Sequence, residues 1–198
     1  MLKNVLMNQT GAGSVTLQNH GLAGTAWMKL SAASILTLTN GKIVAGFGPA
    51  ATNDNRVEVL NPAVAAVSAG STTSYVEGTL RRSMSSALGS FDFPVGTSAK
   101  GYQRINFNYT AALPAIVNYW NVYFDNTAPA TNPALGNECS SNYHPAGMFA
   151  LDNGYWNVES FPSIVGSGIM DVTNYNRNLS WTVGLGAGWT VMYNNSIS

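Results

Sequence analysis

Charge is what this 198-residue chain has least of. Nine Lys and Arg and nine Asp and Glu make up 9% of the residues and cancel to zero, against about 25% charged residues in an ordinary soluble domain. No Lys/Arg run is present, which argues against a nucleic-acid partner, because phosphate binding needs clustered cations. No stretch of about 18 consecutive apolar residues occurs, so the sequence holds no membrane-spanning helix pattern. The opening Met-Leu-Lys-Asn-Val-Leu-Met-Asn-Gln-Thr has one Lys but no continuous apolar segment, and does not read as a signal peptide. Cys139 is the single cysteine, which excludes an internal disulfide, and it reads as a small buried apolar side chain. His20 and His144 are the only imidazoles, both in turn-like sequence. Gly-x-Ser-x-Gly, His-x-x-x-His and a phosphate-cradling glycine loop are all missing, so nucleophilic, zinc-hydrolase and nucleotide chemistry find no support.

What is present suits strands and turns. Hydrophobic residues make up 45%, enough for a core, while Asn, Ser, Thr and Gly supply the polarity. Thr favours strands, and Asn and Gly accept the left-handed backbone of tight turns. The first 80 residues carry a spacing: Leu17, Leu38, Leu60 and Leu80 each close an apolar segment, 21, 22 and 20 residues apart. A period near 20 with a strand ending in a turn predicts a short β-solenoid, each coil burying its apolar residues on the next. The competing reading is a set of hairpins, with Asn40-Gly41 as a two-residue turn between Leu36/Leu38 and Ile43/Val44.

The rest of the chain is organised around Tyr75–Gly96, which holds Glu77, Arg81, Arg82 and Asp92. Phe91 and Phe93 alternate about Asp92, so both rings face one side and the carboxylate the other. Pro94 ends a ladder and Gly96 permits a bend. Asp92 is placed to meet Arg81, Arg82 or Arg104. The expectation is a structural joint between a repeat region, residues 1–82, and an aromatic β-sandwich or jelly-roll region, residues 83–198.

Around this joint, Ser74–Arg82, Phe91–Ser98 and Gly101–Ile105 resemble a recurring module of very large secreted and cell-surface proteins of Bacteroidota, often exported by the type IX secretion system. Leu36–Gly46 and Gly188-Trp189-Thr190 resemble it more loosely. The resemblance implies an extracellular or cell-surface spacer, adhesive stalk or fibre component, part of a longer secreted chain, with no catalytic residue attached to the motif. The ending Tyr193-Asn-Asn-Ser-Ile-Ser198 departs from the sorting domain such proteins usually carry.

The second half is aromatic. Tyr102–Tyr109 alternates, Val117–Phe124 has high β-propensity, and further strands are expected near Tyr155–Glu159, Ile169–Thr173, Leu179–Val183 and Trp189–Tyr193. Short strands at this spacing predict a sandwich. The rings read first as core and cross-strand packing. A glycan site is the alternative, with Tyr155 and Trp156 stacking on sugar beside Asp152 and Asn153. Ca²⁺ is a candidate ion at Asp125 with Asn126, or at Asp152 with Asn153, through hard oxygen donors, although neither has a ligand-loop spacing; no other cofactor is expected.

Three functions are therefore carried forward: a non-enzymatic structural or adhesive module, a carbohydrate-binding module and, ranked last, a polysaccharide hydrolase. The open end of a solenoid exposes β edges, so neighbouring modules of a larger chain or a second subunit are the expected partners.

Overall fold

The computed structural model describes residues 1–11, 13–18, 27–46, 55–84, 88–109, 119–126, 155–161, 168–174 and 180–185. Among the described residues the chain is all-β, with one short 3-10 turn at Val64–Ala66. The order begins with three strands, β1 (Val5–Asn8), β2 (Ser14–Thr16) and β3 (Trp27–Leu30), followed by β4 (Leu36–Asn40), β5 (Lys42–Val44) and β6 (Arg56–Val59). The second three lie parallel to the first: Val5 beside Leu36, Val15 beside Ile43, Met28 beside Val57. A third pass follows. Leu36 bridges Val67, while β7 (Val76–Glu77) and β8 (Thr79–Ser83) run parallel to β5 and β6.

Register partners on the first face, Val5, Leu36 and Val67, are 31 residues apart. On the other two faces the separation is 28 from Ser14 to Lys42 and 29 from Trp27 to Arg56, then 33 from Ile43 to Val76 and 23 from Arg56 to Thr79. The leucine spacing near 20 is therefore not the strand-to-strand repeat. Leu38 lies beside Met7, and Leu80 beside Val57. The reason is that the connections differ in length. Ten residues separate β2 from β3 and eleven separate β5 from β6, but only Gly78 stands between β7 and β8. Gly78 makes that corner at φ 128°, where a Cβ would meet the Ala45 carbonyl oxygen at 2.6 Å, a conformation and a clearance open only to glycine. The hairpin at Asn40-Gly41 does not form. β4 pairs with β1, β5 pairs with β2 and β7, and Gly41 at φ 90° turns the chain from one sheet into another.

After β8 come β9 (Gly89–Phe93), β10 (Val95–Thr97), β11 (Gly101–Tyr102), β12 (Ile105–Tyr109), β13 (Tyr119–Asp125), β14 (Tyr155–Phe161), β15 (Gly168–Asn174) and β16 (Ser180–Leu185). Here pairing changes direction. One sheet has the order β11-β10-β7-β5-β2, parallel as far as β10 and antiparallel at β11. A second has the order β14-β13-β8-β6-β3, parallel as far as β8 and antiparallel beyond. A third, β16-β15-β12-β9, is antiparallel throughout. The second sheet runs without interruption through Arg82 and Ser83, which share β8. Side chains from both stretches form a single core, from Met7 and Leu36 through Leu80 and Phe91 to Trp120 and Phe124.

Candidate functional site

Register decides what each charged residue of the joint can reach. In the five-stranded sheet Leu30, Val59, Arg82 and Trp120 form one row across four strands, and none of the four has measurable exposure. Arg82 therefore points into the core. Its guanidinium donates from Nη1 to the Asp92 carbonyl oxygen at 2.7 Å, and from Nη2 to the carbonyls of Ala63 at 3.0 Å and Val64 at 2.9 Å. The Phe91 and Phe93 rings lie 5.3 and 5.6 Å from it, within cation–π reach. Burial lowers the Arg82 pKa to about 10, against the pull of the Asp92 charge. One cation thus ties three segments together: β8, the 3-10 turn and β9.

The Asp92 side chain faces the other way from its flanking rings, as the alternation predicts. Phe91 and Phe93 are buried, while the Asp92 carboxylate is about a fifth exposed, 3.3 Å from Arg104 Nε, and accepts the Asn106 Nδ2 proton at 2.8 Å. Ser90 donates to Asn106 Oδ1 at 2.8 Å. Of the three arginines offered to Asp92, Arg104 meets its carboxylate and Arg82 meets its backbone. Arg81, the neighbour of Arg82 on a strand, lies on the opposite face of β8. Glu77 is elsewhere again, 3.7 Å from Lys42, whose ammonium sits 4.9 Å from the centre of the Tyr75 ring.

Arg81 belongs to a row the sequence did not disclose. Lys29, Glu58, Arg81, Asn121 and Glu159 occupy adjacent register positions across all five strands β3, β6, β8, β13 and β14. Lys29 Nζ lies 3.3 Å from Glu58, Arg81 Nε donates to Asn121 Oδ1 at 3.1 Å, and Asn121 Nδ2 donates to Glu159 at 3.3 Å. Arg56 adds a second cation 3.6 Å from Glu58. Arg81 stacks 4.1 Å over the Tyr119 ring, and burial, followed by the charge of Arg56, lowers its pKa. Lys29, Glu58 and Asn121 each had a visible sign, a polar residue between apolar ones within a strand, while Arg81 stands beside Arg82 and Glu159 beside Ser160. The row itself needed the register.

The glycan candidates divide. Trp156 lies in β14, partly buried against the core, its indole Nε1 donating to the Gln103 carbonyl at 2.8 Å and its ring edge-on to Phe124 at 5.1 Å. Tyr155 opposes Asp125 in the β13–β14 register. Asp152 and Asn153 lie outside the described residues, as do Cys139, His20 and His144. Of the calcium candidates, Asp125 ends β13 and Asn126 follows it exposed; no group of three or more His, Cys, Asp or Glu suited to a metal occurs among the described residues.

Chemically, the joint is a set of groups engaged with one another, although Arg82 Nε and Arg104 Nε are buried without a hydrogen-bond acceptor. The Arg82 cation is sealed from solvent, and the Asp92 carboxylate is engaged by Arg104 and Asn106. Comparison with known proteins finds no matching family model, no matching characterised protein and no matching solved structure.

Proposed function

We propose that the chain is a non-enzymatic structural module: a short β-solenoid of three coils, closed at one end by an antiparallel β-sandwich. The observation that carries this reading is the change from parallel to antiparallel pairing at β8 and β10, at the place where Arg82 spends its charge on three backbone carbonyls. Charges committed to holding strands together serve architecture. The inward rows agree. Ile43, Val76 and Val95 on one face, and Val57, Leu80 and Val122 on another, are sealed from water in successive layers, as stacked coils require.

An extracellular or cell-surface setting rests on the resemblance to Bacteroidota surface modules. Its three best segments fall on β7–β8, β9–β10 and β11 to the start of β12, all at the changeover. The module's role there is to space or anchor neighbouring parts of a larger assembly.

The coil reading has a direct test. Leu6 and Thr37 are parallel register partners, and neighbouring strands lie about 4.8 Å apart, inside the roughly 4.4–6.8 Å Cα span of a disulfide. In a Cys139→Ser background, the Leu6→Cys/Thr37→Cys pair oxidises to an intramolecular cross-link. Failure to cross-link sinks the coil reading. Protease shaving of intact cells of the encoding organism tests the location: peptides from this chain in the shaved fraction support a surface module, and retention in the cell interior refutes it.

A further inference from the structure

The Asn40-Gly41 corner is held from both sides, by the pass before it and the pass after it. On one side the Gln9 amide donates to the Asn40 carbonyl at 3.0 Å, and Asn40 Nδ2 donates back to the Gln9 carbonyl. On the other, the Gly41 amide donates to the Thr73 carbonyl at 3.0 Å, and Ser74 Oγ donates to the Gly41 carbonyl at 2.9 Å. Gly41 and Ser74 are buried, while Asn40 is partly exposed. Only glycine fits at 41. At φ 90° a Cβ would meet the Gly13 carbonyl oxygen at 2.8 Å and Met7 Cε at 2.9 Å.

The pair that this geometry demands is also the pair that chemistry endangers. Asparagine followed by glycine deamidates readily, because no side chain hinders approach along the backbone and the glycine backbone is free to turn. The backbone nitrogen of the glycine loses its proton and attacks the asparagine Cγ. The bond from Cγ to the amide nitrogen breaks, and ammonia leaves. Water then opens the resulting succinimide at one of its two carbonyl carbons, giving aspartate or isoaspartate. Here both reacting groups are engaged elsewhere, the Gly41 N–H on Thr73 and the Asn40 carboxamide on Gln9.

We infer that Asn40 is a latent self-modification site, held unreactive by the stacking of three coil corners and released when this corner opens locally. The inference rests on the stacked-coil reading above. Solvent already reaches Asn40, so exclusion of water is not the safeguard; geometry is. Opening must free the Gly41 amide from Thr73, and each 1.4 kcal/mol that this costs slows the reaction about tenfold. Either product sets a new carboxylate against the Gln9 carbonyl in place of a donor. Isoaspartate also adds a methylene to the backbone where β4 passes into β5. The reaction therefore prevents the corner from closing again, and a reversible opening becomes a permanent one.

The test incubates the full 198-residue chain at mildly alkaline pH and follows conversion of Asn40 by peptide mass spectrometry. A free peptide spanning residues 36–44 is the reference. The expected rate in the chain is at least tenfold below that of the peptide. Ser74→Ala removes one corner bond and speeds conversion about three- to tenfold. Asp92→Ala, with a similar expected loss of stability but no contact with the corner, changes the rate less than about twofold. Hydrogen exchange of the wild-type Gly41 amide reads the same opening without any substitution. It is slowed by the same factor as deamidation, and by less than the core amides of β8. A chain that converts as fast as the peptide, an unprotected Gly41 amide, or equal effects of Ser74→Ala and Asp92→Ala overturns the inference. The Leu6→Cys/Thr37→Cys cross-link separates the two readings. A chain that cross-links yet converts at the peptide rate overturns the latent site alone, and one that does not cross-link overturns both.

Discussion

The parallel and antiparallel stretches bury different side chains. From β1 to β8 the core is aliphatic, with Leu30, Leu36, Leu38, Ile43, Val57, Val59 and Leu80. From β9 onward rings join Val95, Ile105 and Val122 in the core: Phe93 lies 4.9 Å from Phe107, Phe107 5.5 Å from Trp120, and Phe91 5.5 Å from Tyr109. The contact of Phe107 on β12 with Trp120 on β13 spans two sheets, and sheets packed face to face leave about 10 Å to fill. Rings fill that gap, while closely stacked parallel strands need only branched aliphatics. The interior thus changes bore between the two stretches. Arg82 stands at the change, in one row between Val59 and Trp120, with its stem among apolar neighbours and its head on carbonyls of the 3-10 turn and β9.

Breaking that junction has the largest expected effect. Arg82→Ala deletes a buried cation and takes its donors from the carbonyls of Val64 and Asp92 and from that of Ala63, which keeps the Ala66 amide. At about 1–3 kcal/mol for each polar group left unsatisfied, with solvent entry relieving part of it, the expected loss is about 3–5 kcal/mol in denaturant unfolding. Arg82→Lys recovers only part of this, because an ammonium lacks the planar fork that reaches three acceptors in different segments. A loss below about 1 kcal/mol for Arg82→Ala would show that the two stretches hold together without it.

A smaller loss separates the corners. Gly78→Ala forces a Cβ against the Ala45 carbonyl oxygen at a positive φ, and should cost about 1–3 kcal/mol. Gly11→Ala, also at positive φ but with no neighbouring atom within 4 Å, costs less, since it carries backbone strain alone. Equal losses would mean that the tight approach of the third pass to the second is not what Gly78 provides.

The aromatic stretch can be probed by pH. Burial pushes the Tyr109 phenol far above its ordinary value of 10.0, against the Trp120 indole and the Arg82 charge. Its folded pKa is raised, so its share of stability is complete below pH 10 and is lost as pH rises above that value, where the unfolded chain ionises and the folded one does not. Arg82 runs the opposite way: burial holds its folded pKa near 10, below the ordinary guanidinium value, so its contribution rises between those values. Tyr109→Phe keeps the ring and removes the phenol. It should change stability at pH 7 by less than about 1 kcal/mol and reduce the alkaline fall by up to about 1.4 kcal/mol per pH unit. An unchanged alkaline slope would place the sensitivity elsewhere.

How much of this was legible follows from what each pattern depends on. Alternation is local, so Phe91, Asp92 and Phe93 could be assigned to their faces from the sequence, and the all-β class could be read from strand-like segments and turn residues. Repeat length depends on connections, and those between β2 and β3 and between β5 and β6 are ten times or more longer than the single Gly78 between β7 and β8. A leucine count near 20 therefore could not give parallel strands offset by 23 to 33 residues. The joint was found by its rarity of charge. Its wiring was not, because adjacent residues on a strand face opposite ways: Arg82 reaches backbone carbonyls on one face of β8 and Arg81 reaches Asn121 on the other, which is also buried. The row from Lys29 to Glu159 joins residues 130 positions apart, and only strand order and register bring them side by side.

The smallest effect belongs to the most conspicuous pair. Asp92 and Arg104 draw the eye in so uncharged a sequence, yet their side chains are 22% and 28% exposed at 3.3 Å, and pairs of this kind contribute about 0–1 kcal/mol. Asp92→Ala also removes the acceptor of the Asn106 amide, which leaves an expected loss near 1 kcal/mol. Arg82 keeps its contact, because it binds the Asp92 backbone and not the carboxylate. Raising NaCl to about 1 M should shrink the difference between wild type and Asp92→Ala, since screening weakens the ion pair more than the short-range hydrogen bond from the Asn106 amide to the carboxylate. The same salt should leave the Arg82→Ala difference nearly unchanged, because that cation is sealed from solvent. If Asp92→Ala instead matched Arg82→Ala in size and ignored salt, the carboxylate rather than the backbone would be the anchor, and the parallel and antiparallel stretches would be held by a charge pair after all.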